Sequence, residues 1–289
     1  MTPFTYHRPA DLKEAVRLLA ADAAATKLLA GGQSLLLALK ERALRPARLL
    51  SLASLPELSG IRAAPGGQLD LGATTTYAAL ARYPFAGWQA EIGAVAANLA
   101  DRSVRSLGTV GGGICQAEPR FDMPTLLAAA GAHMHLASVS GERTLSAEDF
   151  FNVRGGTHMT ASEILTRIWI PAIDTLDALA FEKFRFRVFE AAIASVACAL
   201  KLAQDGRIAR IRLVAGAVAK APSNAAATAA KLVGRRPSEL SAAQIGAQVA
   251  AEVAPAAAAQ TRRQRYQSEL VISLTEKAFT RAVAQAGGR

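Results

Sequence analysis

Three consecutive glycines, Gly111-Gly112-Gly113, preceded by Gly108 and echoed far upstream by Gly31-Gly32, limit most strongly what this chain can fold into. Glycine loses more backbone freedom on folding than any other residue, so a run of three is costly unless something approaches the backbone closely. The upstream pair lies in Ala30-Gly31-Gly32-Gln33-Ser34, after the apolar Leu28-Leu29 and before a second apolar run. That order predicts a strand, a tight turn, and a helix over Leu35 to Arg42 capped by Ser34. At such a helix start, free N–H groups can face a phosphate. Plain turn punctuation accounts for the same residues. Neither stretch is a P-loop, because no glycine is followed by Lys-Ser or Lys-Thr, and neither shows the Gly-x-Gly-x-x-Gly dinucleotide pattern in a strand-to-helix setting.

Charge sharpens the reading. The formal net charge is +10 over 289 residues, a field that favours anionic partners such as nucleotide cofactors, nucleic acid, membrane surfaces or an acidic subunit. Two glycine loops in one basic chain suggest a ligand with two phosphates, gripped from both sides. With 51% hydrophobic and 19% charged residues, the chain is globular and long enough for one large core or two modest ones. No run of about 18 apolar residues is present to span a membrane, and the N-terminus starts polar where a secretory signal needs an apolar run. The cytoplasm is the expected location. Cys115 and Cys198 form no spaced pair; a disulfide stays open, whereas an iron–sulfur or metal framework within this chain is set aside.

Along the chain, Asp11 and Glu14 read as a capping box for a helix over 11–20. Strands are expected at 28–30, 49–52, 69–73, 132–138 and 164–170, and helices near 76–82 and 88–100. Ser103 to Asp122 is the stretch densest in loop residues. After Pro171 the composition shifts, with alternating segments at 181–189 and 207–218 that read as strands. Glu190 to Ala203 is rich in alanine and favours helix on propensity alone. Two or three alanine-rich helices complete the chain, and a domain boundary is expected near 175.

Read in order, these segments resemble the FAD-binding medium subunit of the xanthine dehydrogenase and carbon monoxide dehydrogenase (molybdenum hydroxylase) family. The opening Phe4-Thr5-Tyr6-His7-Arg8-Pro9, then LLAGGQSL from Leu28 to Leu35 with Lys40, Arg42 and Pro46, look like that family's start. The most specific block is VRSLGTVGGGICQAEPRFDMP, Val104 to Pro124. Gly141, Asp149-Phe150-Phe151, Glu163-Ile164-Leu165, Ile170-Pro171 and Lys183 continue the likeness over nearly the whole chain.

The resemblance implies an α+β fold: a two-lobed FAD-binding domain of the vanillyl-alcohol oxidase type over 1–174, with lobes about 1–57 and 58–174, and a smaller C-terminal α+β domain over 175–289. It makes Glu190 to Ala203 a strand, against propensity. It assigns the FAD pyrophosphate to backbone groups of Ala30, Gly31, Gly32, Gln33 and Ser34 and of Thr109, Val110, Gly111, Gly112 and Gly113, with the Ser34 and Thr109 hydroxyls assisting. Asp122 would accept hydrogen bonds from sugar or adenine-side groups, Leu165 would lie against the cofactor, and Lys183 would bring positive charge to the flavin or its phosphates. The molybdenum cofactor and 2Fe–2S clusters would belong to a large and a small partner subunit, in a dimer of heterotrimers. Ser106 and Gly113 depart from the family's usual residues, and both bear on how tightly FAD is held.

Other readings compete at particular residues. His133 and His135 share one face of a strand, as two metal ligands would, but no third ligand is placed to join them. Cys115, inside the glycine block, is placed where it could approach the flavin, but is expected to be a small buried space-filler. Lys183-Phe184-Arg185-Phe186-Arg187-Val188-Phe189 alternates basic and aromatic residues like an RNA-binding strand, yet lacks that motif's glycine. Arg262-Arg263-Gln264-Arg265 reads as a solvated helix start. The rival functions are therefore a basic nucleic-acid-binding module and a self-sufficient flavin oxidase.

Overall fold

Asp11 turns an extended segment into the first helix: its carboxylate accepts the Glu14 amide at 2.7 Å, and Glu14 reaches back to the Ala10 amide. The computed structural model describes residues 3–254 and 261–288. β1 (Thr5–His7), α1 (Leu12–Ala21), β2 (Thr26–Leu29), α2 (Leu35–Lys40) and β3 (Arg48–Ser51) form the first unit. Its strands are parallel in the order β1-β3-β2, an arrangement that requires the helical crossovers α1 and α2. Ala15, Val16 and Leu19 bury one face of α1. Ser34 stands at the start of α2 but makes no capping bond with its side chain, so the expected cap is absent. The helix also ends before Arg42, whose φ of 60° turns the chain.

The second unit starts with β4 (Ile61–Ala64) and β5 (Gln68–Gly72). It continues through α3 (Tyr77–Arg82), α4 (Ala90–Ala97), α5 (Arg102–Leu107), α6 (Val110–Gln116) and α7 (Asp122–Ala130). β6 (His133–Ser138), β7 (Gly141–Ser146), α8 (Ala147–Phe150) and β8 (Ile164–Ile170) complete an antiparallel sheet in the order β4-β5-β8-β6-β7. The stretch from Ser103 to Asp122 is mostly helical, which corrects the expectation of loop. Asp101 and Thr109 each cap a short helix there, accepting the amides of Val104 at 2.8 Å and Gly112 at 3.1 Å. Such caps satisfy helix-end donors that glycine-rich composition alone does not reveal.

β9 (Ala178–Phe184), β10 (Ala194–Leu202), β11 (Ile208–Gly216) and β12 (Ser223–Asn224) form a third, antiparallel sheet in the order β12-β11-β10-β9. It is followed by α9 (Ala226–Leu232), α10 (Ala242–Val253) and α11 (Arg262–Gly287). β10 is a strand despite its alanines because both its faces are covered. Ala197 and Ala199 join the core of the second unit, which includes Leu126 and Ala129 of α7. Val196, Cys198 and Leu200 pack into the core that holds Val271, Leu274 and Phe279 of α11. Burial on two faces suits an unbroken apolar strand.

The expected strand over 181–189 ends at Phe184. β10 begins opposite it, at Ala194, so residues beyond Phe184 have no partner strand and turn back, with the Glu190 amide on the Arg187 carbonyl. The face of alternating basic and aromatic residues does not form. Arg262 and Arg263 are exposed at the start of α11, as expected, behind a Thr261–Gln264 capping box.

Candidate functional site

The two glycine loops meet. A Cβ on Gly31 would overlap the carbonyl oxygen of Leu107, one residue before Gly108, so only glycine lets the first loop lie against the second. Together they wall a cavity of about 640 Å³, within the roughly 300–1,000 Å³ usual for ligand pockets. The start of α7, the 157–161 segment, Leu165 of β8, and the turn between β9 and β10 complete its lining.

Ala30, Gly31, Gly32, Gln33 and Ser34 line the cavity, as do Thr109, Gly111, Gly112, Gly113, Asp122, Leu165 and Lys183. Val110 does not. Its side chain is fully buried in the core and its amide bonds to Thr75. The two loops also differ in what they offer a ligand. Among the described residues, the amides of Gly31, Gly32, Gln33 and Ser34 donate to no protein acceptor, and the Thr109 amide has none either. The amides of Gly111, Gly112 and Gly113 are taken by Ala73, the Thr109 hydroxyl and the Thr109 carbonyl respectively. Gly32, with φ +71°, holds the left-handed turn within the first loop.

Asp122 and Lys183, 61 residues apart, form an ion pair at the cavity wall. The Asp122 side chain is 5% exposed and that of Lys183 14%. Burial pushes the Asp122 carboxyl above the ordinary carboxylate range, and the charge and hydrogen bond of Lys183 pull it back only in part. The pair places a cation at the wall without leaving a bare carboxylate to repel an anionic ligand.

Several lining residues had no signal in the sequence. Tyr77 reaches the cavity from the start of α3, and Thr157, Met159, Thr160 and Ala161 come from an irregular segment. That segment is tied down by Glu163, which accepts two bonds from Arg143, at 2.5 and 2.9 Å, and the Thr160 amide. These bonds, led by that to Arg143, hold the Glu163 carboxyl below its ordinary range.

Cys115 is no space-filler. It opens onto the cavity with its Sγ 3.6 Å from the Met159 sulfur. Protein encloses the thiol on its other sides, and this desolvation pushes it up to about 12. Both cysteines are free. His133 packs edge-on against Trp169, and His135 Nδ1 lies 3.0 Å from the Thr144 hydroxyl. Among the described residues no cluster of three or more His, Cys, Asp or Glu is placed to hold a metal, and no helix is long and apolar enough to cross a membrane.

Comparison with known proteins places this geometry. Residues 2–173 match the model of the FAD binding domain in molybdopterin dehydrogenase, and residues 179–282 that of the CO dehydrogenase flavoprotein C-terminal domain. The glyceraldehyde dehydrogenase medium chain of Sulfolobus acidocaldarius is 32% identical, over 96% of this chain and 97% of that one. The carbon monoxide dehydrogenase medium chain of Hydrogenophaga pseudoflava is 36% identical, over 81% and 78%. A chain in the crystal structure of quinoline 2-oxidoreductase from Pseudomonas putida 86 superposes with a TM-score of 0.87 at 31% identity, covering 99% of each. This chain therefore belongs to the FAD-binding medium subunits of the molybdopterin dehydrogenase family: it is an oxidoreductase subunit of mixed α+β fold, and its cofactor is FAD.

Proposed function

We propose that this chain is the electron-relaying flavoprotein of a molybdenum hydroxylase, with FAD in the cavity between the two glycine loops. The carrying observation is the row of acceptor-free amides from Gly31 to Ser34, in a loop that lines the same cavity as the Asp122–Lys183 pair. In this reading the amides donate to the pyrophosphate, joined by the Ser34 hydroxyl, which has no capping duty, and by the Thr109 amide and hydroxyl. The second loop contributes shape more than donors, because its glycine amides are already used. Asp122 accepts from a sugar hydroxyl, Lys183 directs its remaining protons to the cofactor, and Leu165 supplies an apolar wall. FAD supplies the junction between single-electron carriers and two-electron acceptors.

The chain divides, in this proposal, into a FAD-binding domain over 1–174, with two lobes of the vanillyl-alcohol oxidase type, and a C-terminal domain over 175–289. A large subunit with the molybdenum cofactor oxidises the substrate, and a small subunit with 2Fe–2S clusters delivers the electrons, in a dimer of heterotrimers. The names of the relatives support this, since each is a dehydrogenase medium chain or sits in an oxidoreductase structure. The test is to purify the chain alone and with its partner subunits, and to follow flavin bleaching on adding substrate and substrate turnover with an artificial acceptor. The proposal expects both only with the partners. Full substrate oxidation by the chain alone overturns it in favour of a self-sufficient oxidase.

A further inference from the structure

Tyr77 is 5% exposed, yet its hydroxyl hydrogen-bonds to nothing among the described residues. Unlike the hydroxyls of Thr125 and Thr275, it is not sealed in the core; Tyr77 lines the cavity, with its ring against Gly108 and its hydroxyl at Gly113. Leaving a phenol hydroxyl without a partner is costly, and such groups in folded proteins are normally satisfied by protein, water or ligand.

The surroundings hold this hydroxyl in place. Thr76 caps α3 by accepting the Ala79 amide at 3.1 Å, and the Tyr77 amide donates to the Gly108 carbonyl at 3.0 Å. The second glycine loop therefore fixes the ring's origin, while Gly113 clears its path: a Cβ there would overlap the Tyr77 hydroxyl. The third glycine of the run is thus explained by Tyr77.

We propose that Tyr77 is a further FAD-binding residue, its hydroxyl donating a hydrogen bond to an oxygen of the cofactor where it passes Gly113. Burial and the nearby Asp122 carboxylate push the phenol well above its ordinary value, so it keeps its proton and acts as a donor. This inference rests on the reading that FAD occupies this cavity.

The test compares FAD dissociation constants of the full chain, by flavin fluorescence, for wild type, Tyr77→Phe and Gly113→Ala, with melting of the FAD-free proteins alongside. Tyr77→Phe keeps the ring and loses only a hydroxyl with no protein partner. It is expected to melt like wild type without FAD and to bind FAD about three- to tenfold more weakly. Gly113→Ala, which displaces the hydroxyl, is expected to weaken binding at least as much. Wild-type affinity in a Tyr77→Phe protein overturns the proposal while leaving FAD in the cavity. Failure of the wild type to bind FAD, both alone and in the complex with its partner subunits, overturns the underlying reading as well.

Discussion

Gly31 and Leu107 touch backbone to backbone, with no room for a side chain between the Gly31 Cα and the Leu107 carbonyl. The contact joins a loop of the parallel sheet to the segment entering the second loop, and so sets the width of the cavity. Because a carbonyl cannot rotate away like a side chain, Gly31→Ala must separate the loops. It is expected to cost about 1–3 kcal/mol of stability and to weaken FAD binding together with it. Gly287→Ala, in open space near the end of α11, is the control and should be neutral or slightly stabilising. Thermal melting with and without FAD checks both.

The Asp122–Lys183 pair leads to a second prediction. Lys183→Met leaves a buried carboxylate without its cation, a loss of about 3–5 kcal/mol for pairs of this kind. The Asp122→Asn/Lys183→Met double variant should lose much less, because no charge is stranded. In Lys183→Met the Asp122 carboxyl, already raised by burial, rises further. A carboxyl raised in the folded state adds stability below its unfolded pKa, about 3.9, and loses it as pH rises through the folded value. The variant should therefore recover stability on acidification. Urea denaturation from pH 4 to pH 8 measures this.

Glu163 predicts the opposite sign. Its carboxyl is held below the ordinary range by Arg143 and Thr160. Its contribution is present above the unfolded value of about 4.3 and is lost as pH falls through the folded value. Glu163→Gln should remove about 1–3 kcal/mol near neutrality and flatten the acid limb of the stability profile. It should also loosen the 157–161 wall, seen as faster hydrogen exchange at the Thr160 amide and at the amide of residue 163, which donates to the Thr160 carbonyl.

How much of this was legible in the sequence depended on where each signal lay. The strand–glycine–helix order at Leu28 to Lys40 was readable because turn residues and apolar runs alternate locally. The helices between Ser103 and Asp122 were not, because their stability comes from caps at Asp101 and Thr109 and from packing of Val110 and Ile114 in the core. The strand at Ala194–Leu202 went against local propensity, since α7 and α11 cover its two faces from distant parts of the chain. Tyr77 gave no signal, as its meaning depends on the empty space above Gly113. The glycine run itself was conspicuous, but two of its three glycines make room for Ala73 and Tyr77, a purpose that only the folded chain reveals.

The most direct measurement is the visible absorption spectrum of the purified full chain after incubation with excess FAD and removal of the unbound fraction. The account predicts flavin bands at about one FAD per chain in the wild type, and a reduced fraction in Gly31→Ala at the same protein concentration. Absence of retained flavin, both in the chain alone and in the complex purified with its partner subunits, would contradict it.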